Sequence, residues 1–93
     1  MNKETAKQLI LTLLSSANII DEGDIIEFCD YSSQGWWADG TFGFYDNSVT
    51  YYIYWESNQG EMGPFKGEHN YIDEQDLIKW FNSLMFTEFE EAR

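Results

Sequence analysis

One histidine, one cysteine and 17 carboxylates are the residues of this 93-residue chain whose chemistry could extend beyond packing. His69 stands in the run Gly67-Glu68-His69-Asn70, and Cys29 lies between Phe28 and Asp30. An imidazole beside a thiol can serve as base and nucleophile. Neither residue sits in a nucleophile signature, so the plain reading is a loop histidine and a structural thiol. Two ligands of the types zinc favours are too few for a zinc site. Asp21-Glu22-Gly23-Asp24 offers carboxylates to a hard cation, but the calcium-loop spacing D-x-[DN]-x-[DN]-G with its distal glutamate is absent. Paired-carboxylate catalysis needs two acids held close together with split pKa values, and spacing selects no such pair here. Glycine-rich phosphate loops, G-x-S-x-G and C-x-x-C do not occur. The expectation is therefore no catalytic residue, no metal and no cofactor.

Collectively the carboxylates say more. Against 17 Asp and Glu stand 5 Lys and Arg, giving a formal net charge of -12. Such a chain is repelled by nucleic-acid phosphates and anionic lipid and attracted to basic surfaces. Acidity of this degree suits disordered chains, but 43% hydrophobic and 18% aromatic residues supply a core. The length fits one domain, residues 1–93, folding without disulfides or metals. A single cysteine forms no internal disulfide, and the N-terminal apolar stretch has neither a signal-cleavage site nor the length of a membrane span. These features predict a cytoplasmic protein.

The elements that position the acids follow from periodicity. Ala6, Leu9, Ile10, Leu13, Leu14 and Ala17 recur at helical spacing, predicting an amphipathic helix over 5–17 with Asn2 or Thr5 at its start and Asn18 at its end. From Asp24 to Glu56 the pattern alternates, predicting three antiparallel strands. Trp36, Ala38, Phe42 and Phe44 share one face with Val49, Tyr51, Ile53 and Trp55, provided the connection is a two-residue turn at Asp46-Asn47 or Asn47-Ser48. Ile26 and Phe28 join that face if an odd loop or bulge follows them, which also keeps Glu27 out of the core. Gly40 and Gly43 mark bends or close approaches. Ser57–Tyr71, with three glycines and the only proline, reads as a long loop with a short extra strand around Met62–Phe65 as its variant. Asp73 and Asp76 predict the capped start of a second helix over 74–86, with Ile72 stapled to Leu77 and an acidic tail at 87–93 that frays. The fold class is α+β, two layers, a three-stranded (alternatively four-stranded) antiparallel meander in the order αβββα.

Trp37, Asp39, Thr41, Tyr45, Thr50, Tyr52, Tyr54 and Glu56 then occupy the other face of the sheet. If both helices cover the first face, these polar-tipped aromatics and carboxylates form an interaction surface. If the helices lie on opposite faces, they are covered. Spread evenly over the roughly 5,600 Å² expected of a folded chain this size, the acids stand about 330 Å² apart. A DNA duplex carries about one charge per 110 Å², so imitation of nucleic acid requires clustering. The candidate partner-binding residues are Asp21, Glu22 and Asp24 at the start of the sheet, and Trp37, Asp39, Tyr52, Tyr54 and Glu56 on the outer face. Asp39 and Glu56 oppose each other if the turn is Asn47-Ser48.

In size, charge and element order the chain resembles small acidic phage-encoded anti-defence proteins, the anti-CRISPR and anti-restriction nucleic-acid mimics. No shared motif carries the resemblance, so it transfers no residue by position. It implies an inhibitor that fills a basic nucleic-acid-binding site on a host nuclease or defence complex, in the host cytoplasm, without itself binding nucleic acid or membrane. Two alternatives remain open. An antitoxin, immunity protein or accessory subunit would also bind a basic partner, and a small carboxylate enzyme or metal-binding domain would require a pocket.

Overall fold

The computed structural model describes residues 1–87. Helix α1 (Lys3–Leu13) is followed by strands β1 (Asn18–Asp21), β2 (Ile25–Ser33), β3 (Trp36–Phe44), β4 (Ser48–Ser57) and β5 (Gly60–Asn70). Helix α2 (Glu74–Asn82) comes last and runs into a π-helical turn, Ser83–Thr87. The five strands form one antiparallel sheet in sequence order. The class is α+β as expected, but the three- or four-stranded meander is wrong on strand number. Two strands were hidden. β1 begins at Asn18, the expected end of the first helix, and continues through Ile19–Asp21, which the pattern assigns to no element. β5 fills residues 60–70 of the expected 57–71 loop, where the variant reading placed only a short strand around Met62–Phe65. The element order is thus αβββββα, so element order drops out of the resemblance drawn above.

Physical reasons account for both omissions. Asn2 caps α1 by accepting from the Thr5 amide at 2.9 Å, but the helix stops four residues early because Leu14 adopts a non-helical conformation and Ser15 closes a tight turn onto Thr12. The freed chain pairs Ile19 with Phe28 and Ile20 with Glu27 along the edge of β2. β5 is the opposite edge strand. Only Met62, Phe65 and His69 turn partly inward, three or four residues apart, because register shifts near the Gly63-Pro64 step. An edge strand with an irregular ladder and one lightly covered face leaves no period of two to read.

Within the central hairpin the connection is the two-residue turn Asp46-Asn47, with Phe44 paired to Val49. The Tyr71 hydroxyl pins it, donating to the carbonyls of Tyr45 at 2.5 Å and Asp46 at 3.1 Å. Tyr71 is buried for this purpose, and its chain neighbour Ile72 therefore points outward at 78% exposure. The expected staple between Ile72 and Leu77 is not made. Between β2 and β3 the turn is Gln34-Gly35, both at positive φ, the backbone that a right-twisted two-residue hairpin demands. One extra residue in β2 between Phe28 and Tyr31 forms a bulge, with Asp30 at φ 60°. That bulge keeps Ile26, Phe28 and Tyr31 all buried and turns Glu27 to solvent.

Both helices pack on one face of the sheet. Ala6, Ile10 and Leu14 of the α1 segment and Leu77, Phe81 and Met85 from the C-terminal helical segment share a core with Ile26, Phe28, Phe42, Val49, Ile53 and Trp55. Ring pairs tie the layers: Phe81 stands edge-on to Tyr31, and Trp80 contacts Phe42, Tyr51 and His69. Gly40 is required where it sits, because a Cβ there would lie 2.1 Å from the Tyr52 carbonyl oxygen. The Asp73 carboxylate accepts from the Asp76 amide at 2.9 Å and caps α2. The expected acidic tail lies, from residue 88 onward, outside the described residues. Among the described residues no helix is long and apolar enough to cross a membrane.

Candidate protein-interaction face

With both helices on one side, the other side of the sheet is left open, and register sets its contents. One cross-strand row holds Trp37, Glu56 and Glu61; the next holds Asp39 and Tyr54; the next Glu27, Thr41, Tyr52 and Lys66; the last Ile25, Gly43, Thr50 and Glu68. Trp37 is 41% exposed, Tyr45 54%, Tyr52 47% and Tyr54 36%. Among the described residues the ring–ring contacts lie on the helix-covered side, and none engages these four rings. At Gly43 the close neighbour is Thr50, whose hydroxyl oxygen would stand 2.7 Å from a Cβ, while the Tyr45 ring lies at ordinary contact distance.

Three of the face's carboxylates are held by local structure, Glu68 by the Ser48 hydroxyl, which donates to its Oε2 at 2.9 Å. Asp39 Oδ1 accepts from the Asp30 amide at 3.0 Å, so it satisfies the backbone that the bulge frees, and the Asn18 side chain donates to the Asp30 carboxylate at 3.3 Å. The Tyr54 hydroxyl donates to Glu61 Oε1. That hydrogen bond to a carboxylate raises the phenol above its ordinary pKa, with burial adding to the effect. The observed Asp46-Asn47 turn sets Asp39 against Tyr54, so the like-charge opposition of Asp39 and Glu56 that an Asn47-Ser48 turn would create does not arise. Another replaces it: Glu56 faces Glu61 across β4 and β5. Like charges in that relation disfavour folding.

Of the eight candidate partner-binding residues, five come together here: Trp37, Asp39, Tyr52, Tyr54 and Glu56. Asp21, Glu22 and Asp24 do not. They occupy the β1–β2 turn beside the Phe44 end of β3, where the Phe44 amide donates to the Asp24 carbonyl. At about 3.3 Å per residue, that end lies roughly 23 Å along β3 from Trp37. Two of the three have local partners. Lys7, its stem buried, reaches Asp21 at 2.7 Å, and Lys3 reaches Asp24 at 3.4 Å. The Lys7 hydrogen bond holds the Asp21 carboxyl below its ordinary pKa, aided by the Gly23 amide, and holds its own ammonium above it. The turn is an anchor for α1, and two of the chain's few cations are engaged there.

Sequence reasoning passed over Glu61, Lys66 and Glu68, because a chain read as a loop assigns no face. The glutamates flanking Lys66 in an otherwise glycine-rich stretch were the available signal. The open face therefore carries Glu27, Asp39, Glu56, Glu61 and Glu68 against Lys66. The four long strands β2–β5, at about 4.8 Å spacing and roughly 30 Å long, enclose about 430 Å², or about 110 Å² per net charge. Spread evenly, the net charge of -12 would stand at about 470 Å² per charge, so the face is about fourfold denser and close to the duplex value of about 110 Å².

The chemistry weighed for His69 and Cys29 takes another form. They lie on opposite faces with β3 and β4 between them, about 14 Å apart across the strands alone, so they form no dyad. Cys29 is exposed. His69 bonds Asp76 through Nε2 at 2.9 Å and stacks on Trp80 at 4.8 Å between ring centroids. This joins edge strand β5 to α2, and Asp76 also accepts from the Ile72 amide at 3.2 Å. The His69 contact and that amide hold the Asp76 carboxyl below its usual range. His69, Asp76, Lys79, Trp80 and Ser83 line a shallow, open hollow of about 320 Å³. Among the described residues no group of three or more His, Cys, Asp or Glu side chains is placed to hold a metal ion. Comparison with protein-family models, with curated proteins and with solved structures finds no match.

Proposed function

We propose that the protein is a binding inhibitor that presents the open face of its sheet to a basic, nucleic-acid-handling surface on a partner protein and occupies it in place of the nucleic acid. The observation that carries this reading is the placement of both helices on one side, which leaves Trp37, Tyr52 and Tyr54 exposed among Asp39, Glu56, Glu61 and Glu27. Exposed aromatics act as anchors that lose water on docking, while the surrounding charge speeds encounter and sets orientation. The charge spacing of the face supports competition with nucleic acid. A strand spacing of about 4.8 Å and a strand rise of about 3.3 Å distribute the acids over a plane, so the fit is to a broad basic patch rather than to a narrow cleft.

The test uses the chain as bait in an extract of its native host, alongside a variant with Asp39→Lys and Glu56→Lys. The proposal expects a nucleic-acid-binding protein that elutes as salt rises, is displaced by its DNA or RNA, and is not retained by the variant. A partner retained equally by the variant, or one indifferent to nucleic acid, refutes it and favours an antitoxin or subunit role.

A further inference from the structure

The open face does more than attract positive charge. We infer that it selects arginine over lysine, holding guanidinium groups between the exposed rings and the carboxylates of the Trp37–Glu56–Glu61 and Asp39–Tyr54 rows. This rests on the docking reading above and names the side-chain chemistry of the partner.

Four observations lead to it. First, rings and acids alternate in both directions: Trp37 lies across from Glu56, Tyr54 across from Asp39, and along each strand an acid follows a ring two residues on. A group seated over either ring therefore has a carboxylate at its side. A planar guanidinium can stack on a ring and donate in its plane to a carboxylate at the same time, whereas an ammonium is a strongly hydrated point charge that gains little from the ring. Second, Glu56 and Glu61 face each other, an arrangement unfavourable in the free protein that a forked cation between them would relieve. Third, the acids are oriented before anything binds. The Asp30 amide holds one oxygen of Asp39 and the Tyr54 hydroxyl holds one of Glu61, which leaves each with a second oxygen to accept from a ligand. Fourth, the only cation in these four rows is Lys66, at the level of Tyr52, one row beyond Tyr54. Charge disfavours a second copy of the chain as the occupant, since each carries a net -12.

Two peptides of equal length and charge, one with three arginines separated by glycines and one with three lysines, titrated into the isotopically labelled protein at physiological salt, test the inference. The arginine peptide is expected to bind at least about fivefold tighter, as two exposed cation–ring contacts allow, and to shift the backbone resonances of residues 37, 39, 54 and 56. The double variant Trp37→Ala, Tyr54→Ala should bring the two affinities together. Asp39→Asn with Glu56→Gln should weaken both peptides. The shift map on the unaltered protein does not depend on any variant folding. Equal affinities for the two peptides overturn arginine selectivity and leave docking by charge standing. Shifts confined to the β1–β2 turn, or no shifts on the sheet face with either peptide, overturn both.

Discussion

Replacing two tryptophans on neighbouring strands that face opposite sides of the sheet tests whether the outer face is open. Trp55 on β4 is 1% exposed and meets Tyr31 edge-on at 6.3 Å. Trp55→Ala removes a large buried ring and leaves a cavity, a loss of about 3–5 kcal/mol. A chain of this length has a total stability of roughly 5–14 kcal/mol. At about 4–8 °C per kcal/mol the midpoint of thermal unfolding should fall by at least about 12 °C, or the variant should not fold. Trp37, one strand away and pointing to the other side, has no ring partner among the described residues. Its truncation loses mainly strand propensity and contact with flanking side chains, about 1 kcal/mol, so its midpoint should fall by about 4–8 °C. Circular dichroism melts of both variants at one buffer condition read the difference directly. A Trp37→Ala midpoint as low as that of Trp55→Ala would mean that the ring belongs to a packed interface, and the reasoning that the face is free to dock would fail.

Three further predictions follow from the same geometry. Gly40→Ala should lower the melting midpoint by far more than Gly43→Ala, because the new methyl meets the Tyr52 backbone oxygen at position 40 but the rotatable Thr50 hydroxyl at position 43; overpacking costs of about 1–3 kcal/mol apply mainly to the first, and equal melts would contradict the strand spacing described here. Glu56→Gln should raise the midpoint by about 1–4 °C by ending the like-charge contact with Glu61 while weakening arginine-peptide binding; a lowered midpoint would show that the carboxylate stabilises the free fold. The Asp76 carboxyl, held low by His69 and the Ile72 amide, contributes stability that is complete above its unfolded pKa of 3.8 and disappears as pH falls through the lower folded value. Melts between pH 5 and 2 should therefore show a shallower pH dependence in Asp76→Asn than in the parent chain, and parallel curves would refute the coupling.

Residues 24–56 were legible because each central strand has one face in the core and one in solvent, so the alternation of Val49, Tyr51, Ile53 and Trp55 with Thr50, Tyr52, Tyr54 and Glu56 is imposed on the sequence. The need to keep Glu27 wet and Phe28 dry called for an irregularity in β2, and the bulge at Asp30 supplies it. The cap at Asp73 and, as one of two choices with Thr5, that at Asn2 were readable for a local reason, since each side chain answers an amide three residues ahead. Edge strands β1 and β5 were not readable, because an edge is lightly covered and its ladder tolerates glycine, proline and shifted register. The same edge position hid Glu61 and Glu68. Acidity and alternation thus determined by themselves that aromatic and acidic residues share one face of the sheet. Whether that face meets water was decided by tertiary packing alone: an amphipathic helix records that it has an apolar side, not which side of a sheet receives it. Here Leu77 and Phe81 of α2 join Ile10 of α1 over the same rings, and Lys7 and Lys3 fasten α1 to the β1–β2 turn, so the Trp37 face stays uncovered while the Asp21 turn becomes a structural tie.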